Sequence, residues 1–374
     1  MERVIQRLYD IRKVIKREFY IMENQELEKQ INATVLQMAQ EPNNLENYHK
    51  LSRLYMEQQN YDKVISVLES VLAINPQDVQ ALVGMGTMWY YEKDFRKSLS
   101  YYNRALDINP KNYLIYYNIG NVFAEWKNFP KALFYYNRAI DLNSKNPEIY
   151  NAIALLYQDN EEYIESKAYY EKALSLDPNN ITALVDMGNV CFKLFDYETA
   201  LDLYKRVYDL NIDNKVVAMC IGNTYTLMKD KENAYSYYEK AIAIEGDNYR
   251  VFVCYAISLS EFGEYDKAFE YYDKAIELEP KTVNAHQLKA NLLANIGKVD
   301  EAVETYKSIL HFAPNDASTY LLLGNGHYLQ GDIEKAIAAY RAAINIEPSN
   351  DEHKLVYNLV MDEYIDKKRK GEAV

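Results

Sequence analysis

Five asparagines recur in the sequence at one fixed interval or at twice that interval. They are Asn121, Asn189, Asn223, Asn291 and Asn325. A carboxamide side chain offers both hydrogen-bond donors and an acceptor, so each of them could pair with the backbone of a bound peptide. Such a series suits an extended ligand that is recognised with little dependence on its sequence. The alternative is a local role, in which the asparagines cap backbone groups of the protein itself.

Residue patterns typical of catalysis or metal binding are absent from the sequence. It contains no GxxxxGK, HExxH or CxxC pattern, and no GxGxxG that follows a strand. Cys220 and Cys254 are separated by the same interval as Asn189 and Asn223. A metal or redox pair is one interpretation of these cysteines, but two reduced apolar side chains are the interpretation that we favour. We therefore predict a protein without catalytic activity, bound metal or cofactor.

The composition predicts a soluble protein built of long helices. Of 374 residues, 49% are hydrophobic and 37 are tyrosines, against 12 glycines and 9 prolines. The net charge of −13 and the lack of a dominant basic stripe argue against a nucleic-acid partner. Three cysteines are too few for a disulfide scaffold, and no apolar run approaches the length of about eighteen residues that a transmembrane helix needs. We therefore expect a cytoplasmic location and a protein or peptide partner.

A fixed period organises most of the chain. Seven of the nine prolines lie on one phase of this period, namely Pro42, Pro76, Pro110, Pro178, Pro280, Pro314 and Pro348. Taking each of them as the thirty-second residue of a unit gives nine units of equal length without an insertion. The units are 45–78, 79–112, 113–146, 147–180, 181–214, 215–248, 249–282, 283–316 and 317–350. A fixed period of about 34 residues indicates a stack of helical repeats.

Each unit has the pattern of two helices. The fourth, seventh, eighth and eleventh residues recur at the spacing of one helical face, and the twentieth, twenty-fourth and twenty-seventh form a second face. The eighth residue is Gly, Ala or Ser in every unit, and the twenty-fourth is tyrosine in eight of the nine. The small residue lets the two helices approach closely, and the tyrosine fills the space between units. The first unit has Leu68 in place of this tyrosine.

This pattern of small, aromatic and proline positions at a fixed spacing resembles the tetratricopeptide repeat family. The resemblance covers residues 45–350 and implies an all-α fold, a right-handed superhelix (α-solenoid) of about nine helix-turn-helix units. It also implies that the first helices line a concave groove and that the five asparagines face this groove.

The resemblance places the fifth residue of each unit beside the asparagines. The fifth residues that are predicted to form apolar pockets are Val83, Tyr117, Val185, Met219, Val253 and Leu321. None of the fifth residues is a lysine, so the clamp by which some family members hold a terminal carboxylate is not expected. The asparagine series is also similar to the asparagine-lined superhelix of O-linked N-acetylglucosamine transferases.

The two ends of the chain are predicted to cover the stack. Residues 1–44 are expected to form an N-terminal amphipathic helix over 1–22, followed by a degenerate half-repeat. Because the polar face of 1–22 is basic, a membrane surface and a partner helix are alternatives to the first repeat as its contact. Residues 351–374 are expected to form a C-terminal capping helix with a basic end.

These patterns predict a non-catalytic interaction scaffold that binds an extended peptide or disordered segment in its concave groove. One alternative is a targeting or regulatory subunit of an enzyme system, such as a glycosyltransferase whose catalytic domain lies on another chain. A second alternative is a self-assembling structural protein, in which the N-terminal helix or the ends of the stack join copies.

Overall fold

The structure is a computed structural model that describes residues 25–210, 215–245 and 247–370. Over these ranges the chain consists of α-helices joined by short turns and contains no strand. The predicted all-α fold of consecutive helix pairs is therefore confirmed. The predicted amphipathic helix at 1–22 lies outside the described residues.

The described helices follow the period of the sequence. Helical residues 25–40 form α1. The helices after it are α2 (Leu45–Glu57), α3 (Tyr61–Ile74), α4 (Val79–Tyr91), α5 (Phe95–Ile108), α6 (Tyr113–Glu125), α7 (Phe129–Leu142), α8 (Pro147–Asp159), α9 (Tyr163–Leu176), α10 (Ile181–Lys193), α11 (Tyr197–Asp209), α12 (Lys215–Leu227), α13 (Lys231–Glu245), α14 (Tyr249–Glu261), α15 (Tyr265–Leu278), α16 (Val283–Asn295), α17 (Val299–Phe312), α18 (Ala317–Leu329), α19 (Ile333–Ile346) and α20 (Asp351–Lys370). From α2 to α19, the even-numbered helices are the first helices of the units and the odd-numbered ones are the second helices.

Side chains just before the helices determine where many of them begin. The Asp78 side chain accepts a hydrogen bond from the Ala81 amide at 2.8 Å at the start of α4, and Asn128 accepts one from the Lys131 amide at the start of α7. Such caps satisfy backbone N–H groups that have no partner inside the helix. Pro147 occupies the first turn of α8, where the missing N–H costs little.

The turn inside each unit contains a residue in the left-handed backbone region. This residue is the fifteenth of the unit throughout, with φ between 57° and 86°: Gln59, Lys93, Lys127, Glu161, Phe195, Lys229, Gly263, Gly297 and Gly331. A residue with a Cβ is strained in this region, whereas glycine is not. Six of the nine described turns therefore contain strain that the last three avoid.

Tyrosines from the second helices fill the core of the units. A Cβ added to Gly120 would lie 2.5 Å from the ring of Tyr136, and one added to Gly86 would lie 2.6 Å from the ring of Tyr102. The eighth residue is therefore small because the tyrosine ring of the same unit lies against it. Both tyrosine side chains are 2% exposed.

The chain divides into two compact units, Met1–Val190 and Cys191–Val374. In the first, Ile31 of α1 packs against Leu51, Leu54 and Val67. In the second, Val360 of α20 packs against the last helix pair. Among the described helices, none has the length and apolar character needed to cross a membrane.

We predict that Lys93→Gly raises the stability of the protein. Lys93 has φ of 58°, and removing its Cβ relieves strain that is worth of order 1 kcal/mol. The reverse change, Gly263→Lys, should lower stability by a similar amount, since a Cβ there meets open space and only the backbone is strained. Urea unfolding followed by circular dichroism measures both changes. A loss of stability in the first variant would contradict the prediction.

Candidate functional site

A cavity of about 420 Å³ opens on one face of the first helices in the first compact unit. Side chains of α4, α6, α8 and α10 line it, together with two tyrosines from the second helices α7 and α9. The first helix α4 contributes Tyr90, and the lining residues of the other three recur at intervals of three or four positions, as in Tyr117, Asn121 and Glu125 of α6. They lie on one face of the helix because this spacing matches the helical repeat. We call this space the main cavity.

The main cavity brings together two residues that the sequence predicts as site residues. Asn121 and Tyr117 both line it. Burial raises the pKa of Tyr117, while a hydrogen bond from Asn121 partly offsets that rise. The remaining asparagines of the predicted series lie elsewhere: Asn189 is half-buried on α10, and Asn223, Asn291 and Asn325 belong to the second compact unit.

The asparagines hold the hydroxyl groups of the core tyrosines. The Tyr136 hydroxyl donates to Asn121 Oδ1 at 2.8 Å. In other described units the same bond joins the twenty-fourth residue to the ninth at 2.5–2.8 Å, in the pairs Tyr238–Asn223, Tyr306–Asn291 and Tyr340–Asn325. Burial raises the pKa of Tyr306 to about 12, so its hydroxyl keeps the proton that it donates. These asparagines therefore have a local role, and their partner is a side chain rather than the backbone.

Where a unit lacks this asparagine, another side chain forms the hydrogen bond with the tyrosine hydroxyl. Thr87 is the ninth residue of its unit and lies 2.9 Å from the Tyr102 hydroxyl. In the fourth unit the ninth residue is Leu155, and the Tyr170 hydroxyl donates to Gln158 Oε1 at 3.2 Å. The pairing of Asn at the ninth position with Tyr at the twenty-fourth was the sequence signal that could have revealed this bond.

The predicted apolar site residues differ in their exposure. Val83 and Tyr117 line cavities, and Val185, Met219 and Leu321 are half-buried. Val253 is only 5% exposed, because it packs in a core cluster with Phe252, Ala275 and Ala285. Val253 therefore has little surface with which to contact a ligand.

A second cavity, of about 250 Å³, lies between the first two repeats, 45–78 and 79–112. Its walls are mainly apolar and include Met56, Leu68, Val83 and Gly84. Leu68 occupies the position that is tyrosine in the other units, so the space beside it lacks the outer part of a phenol ring. We call this space the Leu68 cavity.

Charged residues around the main cavity are mostly acidic. Glu125, Glu148, Asp159 and Asp186 line it, with Lys127 as the basic lining residue. The Lys127 ammonium lies 3.4 Å from the Asp159 carboxylate, so these two charges offset each other. The cavity therefore has an excess of negative charge.

Side chains suited to metal binding do not cluster in the described part of the chain. No group of three or more His, Cys, Asp or Glu residues could hold a metal ion there. Burial raises the pKa of Cys220 to about 11 and also raises that of Cys254. Both are therefore neutral thiols at physiological pH, which makes them poor nucleophiles and poor metal ligands.

We predict that Asn121 and Tyr136 are energetically coupled. Asn121→Ala should destabilise the protein by about 1–3 kcal/mol because it leaves the buried Tyr136 hydroxyl without its acceptor. Adding Tyr136→Phe should recover part of this loss, giving a coupling of about 1 kcal/mol in a double-mutant cycle. Urea unfolding measures each variant.

The matched control for this cycle combines Asn121→Ala with Tyr306→Phe. These side chains share no partner, since Tyr306 donates to Asn291, and their effects should add. Additivity in the Asn121–Tyr136 pair would contradict the prediction.

Comparison with known sequences identifies the repeats. Tetratricopeptide repeat models match residues 49–113, 113–146, 147–213, 221–248, 259–325 and 317–350. No curated protein matches the chain.

Solved structures share the fold at low sequence identity. A tetratricopeptide repeat protein from Parabacteroides merdae is 20% identical with a TM-score of 0.56, over 67% of this chain and 98% of its own. Yeast Tom70 is 16% identical with a TM-score of 0.55, over 92% of this chain and 86% of its own. Because the repeat models cover most of residues 45–350 and the helices pair as the repeat requires, the chain belongs to the tetratricopeptide repeat family.

Proposed function

We propose that this protein is a non-catalytic scaffold that binds an extended polypeptide segment across the first helices of its first compact unit. The observation that carries the proposal is the main cavity, which four successive first helices line. Neighbouring helices pack about 8–10 Å apart, so the four helices span about 25–30 Å. An extended segment of about eight or nine residues covers this distance at ~3.3 Å per residue.

The hydrogen bond from Tyr136 prepares Asn121 for this role. The hydroxyl occupies one lone pair of Asn121 Oδ1 and fixes the plane of the carboxamide. A group that is already oriented loses less conformational entropy when it binds a ligand. The structural role of the asparagine therefore supports its use in recognition: one N–H of the amide is directed to Tyr117, and the other is a donor for backbone carbonyls of the segment.

The Leu68 cavity would accept an apolar side chain of the same segment. It lies between the first and second repeats. Its apolar walls, which include Met56, Leu68 and Val83, disfavour charged groups because such groups would lose their hydration there. An apolar anchor in a preformed pocket is a common source of binding energy for peptides.

The arrangement of the chain fits a repeat array with a cover at each end. We propose that residues 45–350 are the binding array, that α1 covers its beginning and that α20 covers its end. The three cysteines are free thiols, which supports a reducing compartment such as the cytoplasm.

We predict that blocking the main cavity weakens peptide binding without unfolding the protein. Thr182 lines the cavity but is exposed, so Thr182→Trp should place a large ring in the cavity with little effect on packing. Random twelve-residue peptides are first selected on the wild type by phage display. Their dissociation constants for each variant are then measured by fluorescence polarisation, and the variant should bind at least about tenfold more weakly.

The control is Ser175→Trp, which adds the same ring to an exposed position on the second helix α9. This variant should bind the selected peptides as the wild type does. Circular dichroism and thermal melting establish that both variants fold. Equal binding to all three proteins, or a selection that enriches no peptide, would refute the proposal.

A further inference from the structure

Asp186 is a carboxylate at a position that is uncharged in neighbouring units. It is the sixth residue of its first helix, α10. The corresponding residues of the second to fourth and the sixth to ninth units are Gly84, Asn118, Ala152, Cys220, Cys254, Leu288 and Leu322, and the first unit has Lys50. In the second unit this residue, Gly84, lies against Leu68, the twenty-fourth residue of the unit before it. Asp186 thus brings a negative charge to a place where no other unit has one.

The Asp186 carboxylate has no partner in the part of the chain that the structure describes. Tyr170 is the nearby hydroxyl in the preceding unit, but it donates to Gln158 instead. Burial raises the pKa of Asp186, and within the described ranges no hydrogen bond or cation offsets that effect. A half-buried charge without a partner lowers the stability of the fold.

The other walls of the main cavity also contain acceptors without donors. Glu125 and Glu148 form no ion pair among the described residues, since the ammonium of Lys127 is held by Asp159. The Asn151 Oδ1 atom is buried and accepts no hydrogen bond from the residues that the structure describes. Three carboxylates and a carboxamide oxygen around the cavity therefore have no donor among the described residues; of these, Glu125 and Glu148 are exposed, whereas Asp186 is half-buried.

Four tyrosine side chains form part of the remaining walls. Tyr90, Tyr117, Tyr136 and Tyr170 all line the cavity. Burial raises the pKa of Tyr90, and the charge of Glu125 raises it further, which places that carboxylate next to the phenol. Aromatic rings beside carboxylates are a favourable environment for a cation, because the ring face attracts positive charge and excludes water from it.

We infer that the main cavity receives an arginine side chain of the bound polypeptide, with Asp186 as its principal carboxylate partner. This inference rests on the proposed function. A guanidinium has five N–H donors in one plane, so it can pair with a carboxylate through two hydrogen bonds while its face stacks on a tyrosine. The flat, forked group matches several separate acceptors better than an ammonium, which is a compact charge with three donors.

The test uses peptides selected from the same random twelve-residue library on the wild-type protein. The expected result is that the enriched sequences share an arginine. Replacing it with lysine or glutamine in a synthetic peptide should weaken binding, with the larger loss for glutamine. Asp186→Asn should weaken binding of the arginine peptide by about tenfold or more, because it removes a charge-assisted hydrogen bond.

Two further measurements separate recognition from folding. Asp186→Asn should leave the melting temperature unchanged or raise it, since it removes a charge that has no partner. Asp107→Asn is the matched control: it makes the same change in charge at an exposed position on the second helix α5 and should bind the peptide as the wild type does. Equal losses in both variants would indicate a general effect of the net charge and would overturn the inference.

The remaining outcomes distinguish this inference from the proposed function. If peptides are enriched without arginine, or bind Asp186→Asn as tightly as the wild type, the inference is wrong while the binding face remains. If lysine replaces arginine without loss, the specificity for a guanidinium is wrong. A drop in melting temperature of Asp186→Asn would assign the carboxylate a structural role. If no peptide is enriched, both proposals are wrong.

Discussion

The fit of a tyrosine ring against a small residue of the same unit is the constraint on which the repeats depend. The contact between Tyr136 and Gly120 leaves no room for a Cβ, so the eighth residue cannot grow while the tyrosine remains. Burial of such a ring also requires a partner for its hydroxyl, since an unsatisfied hydroxyl is costly in the core. Close packing of the ring thus requires a small eighth residue, and the hydroxyl requires a hydrogen-bond partner such as the asparagine at the ninth position.

The candidate site follows from the same contact. The Tyr136 ring enters the core from the second helix, and its hydroxyl emerges beside Asn121 on the face that lines the main cavity. The bond that completes the core therefore orients a side chain at the surface. Where the first unit has Leu68 instead, the hydroxyl and part of the ring are missing and a second cavity remains. The twenty-fourth residue of a unit therefore determines both the packing of the repeat and the shape of the cavity beside it.

The period of the sequence predicted the helices well, because the spacing of core residues along one helix face depends only on local geometry. The hydrogen bonds between the asparagines and the core tyrosines were harder to predict, since the bond from Tyr136 joins residues that are 15 positions apart on different helices. The burial of Val253 depends on the volumes of its neighbours in three dimensions. The sequence also could not predict that Asp186 has no partner among the described residues. That depends on which side chains lie around it in three dimensions.

The place of Asp186 in the repeat has an evolutionary consequence. Its position is filled by lysine, glycine, asparagine, alanine, cysteine or leucine in other units, and the helix pairs form with each of them. Selection can therefore alter this residue in one unit while the Tyr–Gly contact keeps the fold, and each unit can acquire its own preference for a ligand side chain. A duplicated array of this kind can diversify its targets one repeat at a time.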